Sequence, residues 1–248
     1  MEEANIKARS AILVGLLAML SLLPACQMTP QYGTEDPLYL SARARQVWAV
    51  APAINLSGER EVDPLLQADL LYSQLQQVHG VTVIPVNRVV EVYAGLHLEK
   101  VQTPEQASLV CDLLGCDALV VPTITAYDPY NPPKLGGSIQ VFRKPRGYAR
   151  PENVDPRELA RQAGMRATES LPTPQGQFLQ AVGMFDASNG SVREKLDAYA
   201  HGRNDPAGPL GVKEYYVSMD RYCGFFYNAM ISDVLKQIRE QAIKHQSA

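Results

Sequence analysis

Four apolar residues in a row, Ala118-Leu119-Val120-Val121, sit near the middle of the chain, and a run of that kind marks a strand covered on both faces. The strand is predicted over Asp117–Tyr127. Before it, Ala107, Val110, Cys111 and Leu114 recur at three and four positions and form the inward stripe of a helix. Thr103-Pro104-Glu105-Gln106 is a capping box that opens this helix, and Gly115 closes it. The earlier chain follows the same grammar. Val47–Ala53 reads as a strand in which Pro52 marks an edge or a break, and Asn55-Leu56-Ser57-Gly58 reads as a turn. Asp63-Pro64 caps a helix over Pro64–His79 with Leu65, Ala68, Leu71, Leu75 and Val78 on its buried stripe, stopped by Gly80. Val81–Val86 predicts a second strand, Asn87–Ala94 a short helix and Gly95–Gln102 a turn.

After the central strand, Asp128–Pro133 breaks regular structure and Ser138–Phe142 alternates as a strand. Gln177–Ala187 and Ser191–Ala200 read as two strands joined through Ser188-Asn189-Gly190, because Asn-Gly is a strong hairpin signal. Val182, Met184 and Phe185 supply apolar bulk to the first of them. Asn204–Gly211 is a loop. Phe226, Met230, Val234, Ile238 and Ala242 then step by fours along a terminal helix from Asp220 to Lys244. The order predicts an α/β (α+β) domain: a mixed β-sheet with helices packed on one face, a long terminal helix and one helical insertion. The insertion spans 144–176, where Asp155-Pro156-Arg157-Glu158 caps a helix that ends before Pro172.

The first residues obey a different rule. Lys7 and Arg9 precede an apolar run from Ala11 to Leu23, too short to span a bilayer and of the length found in a secretory signal. It ends in Leu23-Pro24-Ala25-Cys26, which resembles the bacterial lipobox. That resemblance implies cleavage before Cys26, acylation of its thiol and new amino group by chains such as palmitate, and a lipid anchor without a transmembrane helix. A plain export signal that contains a cysteine and an uncleaved anchor are the other readings. Gln27, where aspartate would imply retention at the inner membrane, points to the outer membrane by resemblance to enterobacterial sorting. The chain divides into a signal peptide over 1–25, a flexible tether over 26–46 rich in Pro, Thr, Gln and Gly, and one domain over 47–248.

Composition narrows the chemistry. At 248 residues and 46% hydrophobic content the chain can bury one substantial core, and a formal net charge of -3 gives no electrostatic footprint for nucleic acid. Seven basic residues (Arg143, Lys144, Arg146, Arg150, Arg157, Arg161, Arg166) face three acidic ones (Glu152, Asp155, Glu158) at the insertion. They form either a contact surface for acidic lipid or glycan or an ordinary solvated helix face. His79, His97, His201 and His245 have no ligand spacing and read as helix-end or surface residues. Cys111 and Cys116 bracket a helix stop and could be joined or free, and zinc through these two and Cys223 matches no ligand pattern. Gly136-Gly137-Ser138 starts a strand and lacks the following helix that would hold phosphate, and no serine elbow or P-loop occurs. Asp186 and Asp197 could face each other across the hairpin; Asp69, Glu91 and Asp117 have no partner at a spacing that suggests acid/base work. The expectation is a non-enzyme without metal or cofactor.

Three clusters carry a family resemblance: Pro52, Asn55, Ser57 and Gly58; Gly115, Asp117, Ala118, Leu119 and Val120; and Phe185, Asp186, Ala187 and Gly190. Together they resemble the domain shared by the curli-secretion lipoprotein CsgG, the N-terminal domain of TolB and the LpoB-type activators of peptidoglycan synthases. The resemblance implies a periplasmic lipoprotein acting as a binding or assembly module of the cell envelope, with a protein partner or self-association and the membrane as its contacts. A ring-forming secretion component and an envelope hydrolase of unfamiliar type are the alternatives. The chain departs from the pore former in lacking paired hairpins long enough to cross a membrane, and the basic insertion has no counterpart in the pattern.

Overall fold

The computed structural model describes residues 37–41, 45–144, 178–205 and 207–246. The signal peptide, Cys26, the tether apart from 37–41 and 45–46, and the insertion from 145 onward with its helix lie outside the described residues, as does the side chain of His245. The packed unit reaches back into the stretch read as a spacer. Leu40 is buried, the Leu40 N–H donates to the His79 carbonyl at 3.0 Å, and the Tyr39 and His79 rings stack at 4.9 Å.

The strands among the described residues are β1 (Gln46–Val50), β2 (Ile54–Asn55), β3 (Val81–Ile84), β4 (Ala118–Asp128), β5 (Lys134–Arg143) and β6 (Phe178–Asp186). They form one mixed sheet in the order β3-β1-β4-β5-β6, with β2 pairing on β4. β1 is parallel to β3 and β4, whereas β4, β5 and β6 form an antiparallel meander. Pro52, which has no N–H to donate, interrupts the first strand as expected: it stops at Val50 and resumes as β2 beside Thr123 and Ile124.

The α-helices among the described residues are α1 (Pro64–Leu75), α2 (Val86–Leu96), α3 (Pro104–Leu114), α4 (Gly190–His201), α5 (Glu214–Val217) and α6 (Met219–Gln246). Asp63 caps α1 by accepting from the Leu65 N–H at 2.8 Å. Thr103 caps α3, and the Gln106 side chain reaches back to the Gln102 N–H at 2.8 Å, one residue before the ordinary capping-box position. The predicted layer of helices on one face is formed by α1, α4 and α6. Trp48, Val50, Val120, Ile124 and Ile139 face it from the sheet, and Phe226, Tyr227, Met230 and Val234 fill it from α6. A second pair, α2 and α3, lies over the opposite face, where Ala49, Leu119 and Val121 meet Val89, Tyr93, Val110 and Cys111. This is why the central strand is apolar on consecutive residues.

One predicted element is of the wrong type. Ser191–Ala200 is not a strand but most of α4. Asn189 does not sit in a hairpin turn; its side chain accepts from the Ser191 N–H at 2.9 Å and caps the helix. Leu196, Tyr199 and Ala200 then face the core at helical spacing, and Arg193, Glu194 and Lys195 are all exposed. The possible facing of Asp186 and Asp197 goes with the hairpin. Asp186 ends β6 and pairs with Lys134 at 2.8 Å, and Asp197 accepts from the Tyr216 hydroxyl at 2.7 Å. Among the described residues no helix is long and apolar enough to cross a membrane.

Candidate functional site

Helices α2 and α3 cover their face over β1, β4 and the end of β5 at Phe142. From the edge of that cover at Val121, β4, β5 and β6 present three cross-strand rows: Val121-Gln140-Gln180, Thr123-Ser138-Val182 and Ala126-Gly136-Met184. Ile54 of β2 extends the second row from the other side of β4. The middle of this surface sinks into a cavity of about 510 Å³ between the β4–β6 rows and the 100–102 segment that leads into α3. Thr123 and Ser138 form its floor, at 8% and 7% exposure, and Val182 stands at its rim at 70%. Leu56 and Met184, both more than half exposed, extend the apolar rim.

Local sequence explains the shape. The register of β4 against β5 shifts between Ile124 and Ala126, leaving Thr125 as an extra residue opposite the glycine pair. A Cβ on Gly137 would run into the Thr123 carbonyl, so this residue has to be glycine for the strands to close. Gly136-Gly137 thus works inside β5, in backbone approach, and not as the start of a strand. At the other end, the Asn55 side chain accepts from the Ser57 N–H at 3.0 Å and from its hydroxyl at 2.7 Å, and Gly58 takes φ 81°. That turn holds Leu56 outward.

The lining is made of aliphatic groups (Ile54, Leu56, Val101, Val182), hydroxyls (Thr123, Thr125, Ser138), amides (Gln102, Gln140, Gln180) and one ammonium, Lys100. Such a surface offers neutral donors and acceptors beside apolar patches, the combination that suits an extended polypeptide. Strand β6 is the last in the sheet order among the described residues, and the Gln180 carbonyl points away from β5, accepting from the Gln237 side chain at 2.9 Å.

The residues singled out for chemistry do not converge here. Among the described residues there is no group of three His, Cys, Asp or Glu side chains placed to hold a metal. His97 is the left-handed cap of α2, His201 ends α4 and His79 stacks on Tyr39. Asp117 accepts from the Val47 N–H at 2.8 Å, pinning β4 to β1, and Glu91 pairs with Arg88 on the surface of α2. Lys144, the last described residue of the basic run, pairs with Asp112, and Arg143 donates to the Gln241 side chain at 2.7 Å. Cys223 lies in the α1/α4/α6 layer and Cys111 with Cys116 in the other, so the sheet separates them. Burial pushes the Cys223 thiol up to about 12.

No protein family matches the sequence, and no curated protein matches it. Solved structures do match. The LpoB C-terminal domain from Salmonella enterica is 13% identical over 42% of this chain and 75% of its own, with a TM-score of 0.34. Lipoprotein GNA1162 from Neisseria meningitidis is 16% identical over 62% of this chain and 93% of its own, with a TM-score of 0.38. The PelC dodecamer from Paraburkholderia phytofirmans is 8% identical over 79% of this chain and 89% of its own, with a TM-score of 0.33.

Proposed function

We propose that the chain is a bacterial envelope lipoprotein, acylated at Cys26 and held by its lipid at the periplasmic face of the outer membrane. Its α/β domain acts there as a non-enzymatic binding or assembly module. The observation that carries the reading is the open half of the sheet, where Val182, Met184 and Leu56 stand exposed around a polar-floored cavity. Exposed apolar groups gathered beside polar ones mark contact surfaces, whereas singly scattered ones carry no such meaning. The partner is an envelope protein that lays an extended segment along β5 and β6. Support for a binding role over hydrolysis comes from the lining, in which Lys100 is the one titratable side chain and no carboxylate or imidazole is among the lining residues.

The test places a photocrosslinking amino acid at position 182 and, as a control on α1 over the opposite face, at exposed position 69. In cells, position 182 is expected to give a defined adduct with one envelope protein and position 69 none. No adduct at 182, or the same adducts from both, overturns the binding reading. Palmitate labelling that is present in the wild type and lost in Cys26→Ala checks the anchor; labelling absent from both removes it.

A further inference from the structure

Helix α3 ends in a motif that brings two particular side chains together. Gly115 takes φ 68°, and the Cys116 N–H folds back to the Cys111 carbonyl at 2.9 Å, five residues earlier. This backbone loop is the Schellman closure, in which the residue after the left-handed glycine contacts the residue three positions inside the helix end. Here those two positions are both cysteine. Both are buried, at 1% and 3% exposure, both are reduced, and their thiols are hydrogen-bonded to each other within the apolar layer under α2 and α3.

We propose that Cys111 and Cys116 form a disulfide that staples the end of α3 to the head of β4. The backbone is already folded back by the helix closure, so the two Cβ atoms need no large movement to meet a disulfide's spacing. The oxidant is a second disulfide, either of low molecular weight or on a thiol oxidase. One thiolate attacks it and releases one thiol; the other thiolate attacks the mixed disulfide and releases the second. Two S–H bonds and the oxidant's S–S bond are lost, one S–S bond forms in the chain, and the two electrons and two protons leave on the oxidant. The hydrogen bond to Cys116, followed by burial, pushes the Cys111 thiol far up, so the thiolate is scarce once the domain is closed. Formation during folding is therefore the productive route.

The junction explains what the staple would hold. The Asp117 N–H donates to the Val47 carbonyl at 2.7 Å, the Lys144 N–H donates to the Asp117 carbonyl at 2.8 Å, and Lys144 pairs with Asp112. α3, β1, β4 and β5 meet at this one turn. Cys223 provides an internal control, because it sits across the sheet with the Gln67 amide donating to its sulfur at 3.5 Å.

The full chain, with its four cysteines, is refolded from urea in a mixture of reduced and oxidised glutathione, quenched in acid, denatured, alkylated and mapped by peptide mass. The expected result is complete loss of alkylation at Cys111 and Cys116, recovery of their linked peptide lighter by two hydrogens, and full alkylation of Cys223. Alkylation of both Cys111 and Cys116, or a bridge from either to Cys26 or Cys223, overturns the proposal. If the chain does not refold in that buffer, the chain is exported to the periplasm of an expressing cell, trapped in acid without reductant and mapped in the same way, with the same two outcomes deciding.

Discussion

On one face of the sheet, Trp48, Val50, Val120, Ile124 and Ile139 lie under three helices; on the other, Leu119 and Val121 are covered while Gln140, Gln180 and Val182 have no helix over them among the described residues. The covered face is packed with aromatics. Phe185 meets Phe225 and Phe226 edge-on at 5.3 and 5.6 Å, and Tyr199 meets Phe225 at 5.6 Å. The open half instead mixes amides, hydroxyls and aliphatic groups. On the proposed binding role, stability and recognition fall on opposite sides of the same strands. A residue's place in the alternation along β5 or β6 decides which of the two it serves.

The comparison breaks most directly at Phe226, which is fully buried on α6. Phe226→Ala removes a ring from the covered face and should lower unfolding free energy by about 3–5 kcal/mol, read as a reduced urea midpoint. A loss below about 1 kcal/mol would mean that this face is not where stability is concentrated. Gly137→Ala comes next. The added methyl meets the Thr123 carbonyl across the bulge, so overpacking of roughly 1–3 kcal/mol is expected in the same assay, although no side chain is removed. Equal stability of Gly137→Ala and wild type would show that the β4–β5 bulge yields without strain.

A smaller effect tests the rim between the two regions. The hydrogen bond from Lys134, with those from Ser188, holds the half-buried Asp186 carboxyl down at about 2. A depressed carboxyl contributes stability above its unfolded value and loses it as pH falls through its folded one. The difference between wild type and Asp186→Asn should therefore be present at neutral pH, shrink below the ordinary value of 3.8 and vanish near pH 2. It should also weaken in high salt, because the pair is solvated. A difference that stays constant across this range would assign the effect to the turn hydrogen bonds instead of the charge.

How much of this the sequence discloses depends on the range of the interaction. The α3–Gly115–β4 passage was legible because Thr103, Gly115 and the apolar run all act within about a dozen neighbouring residues. Asn189-Gly190 misleads because the same dipeptide can turn a hairpin or open a helix, and only the spacing of Leu196, Tyr199 and Ala200 decides. Gln67 and Gln74 look like solvent residues of α1 until Tyr227 and Tyr199, 160 and 125 positions away, donate to them at 2.8 and 3.1 Å. The helix also turns Leu65 outward, at 47% exposure, against the predicted stripe. The open surface was hidden for a related reason. Val182 and Met184 read only as apolar bulk of a strand, and alternation alone does not say which side of β6 a helix will cover. Leu179 and Ala181, at the other parity, are the buried ones.

Val182→Thr with Met184→Gln carries the smallest expected change in stability and the largest in recognition. Both side chains are more than half exposed, so little apolar area returns to water, and threonine keeps the β-branched shape that suits a strand. The urea midpoint should stay within the range of ordinary surface substitutions, about 0.5 kcal/mol, while the adduct formed from a crosslinker at position 180 on the same rim is lost. If the pair destabilises the domain as Phe226→Ala does, the open half is part of the core and the division between the faces is wrong. If stability and crosslinking both persist, the faces differ as described but recognition lies elsewhere. The outcome that sharpens the comparison is an unchanged midpoint with no adduct, because only a surface the fold does not need can be altered without cost and still be missed by its partner.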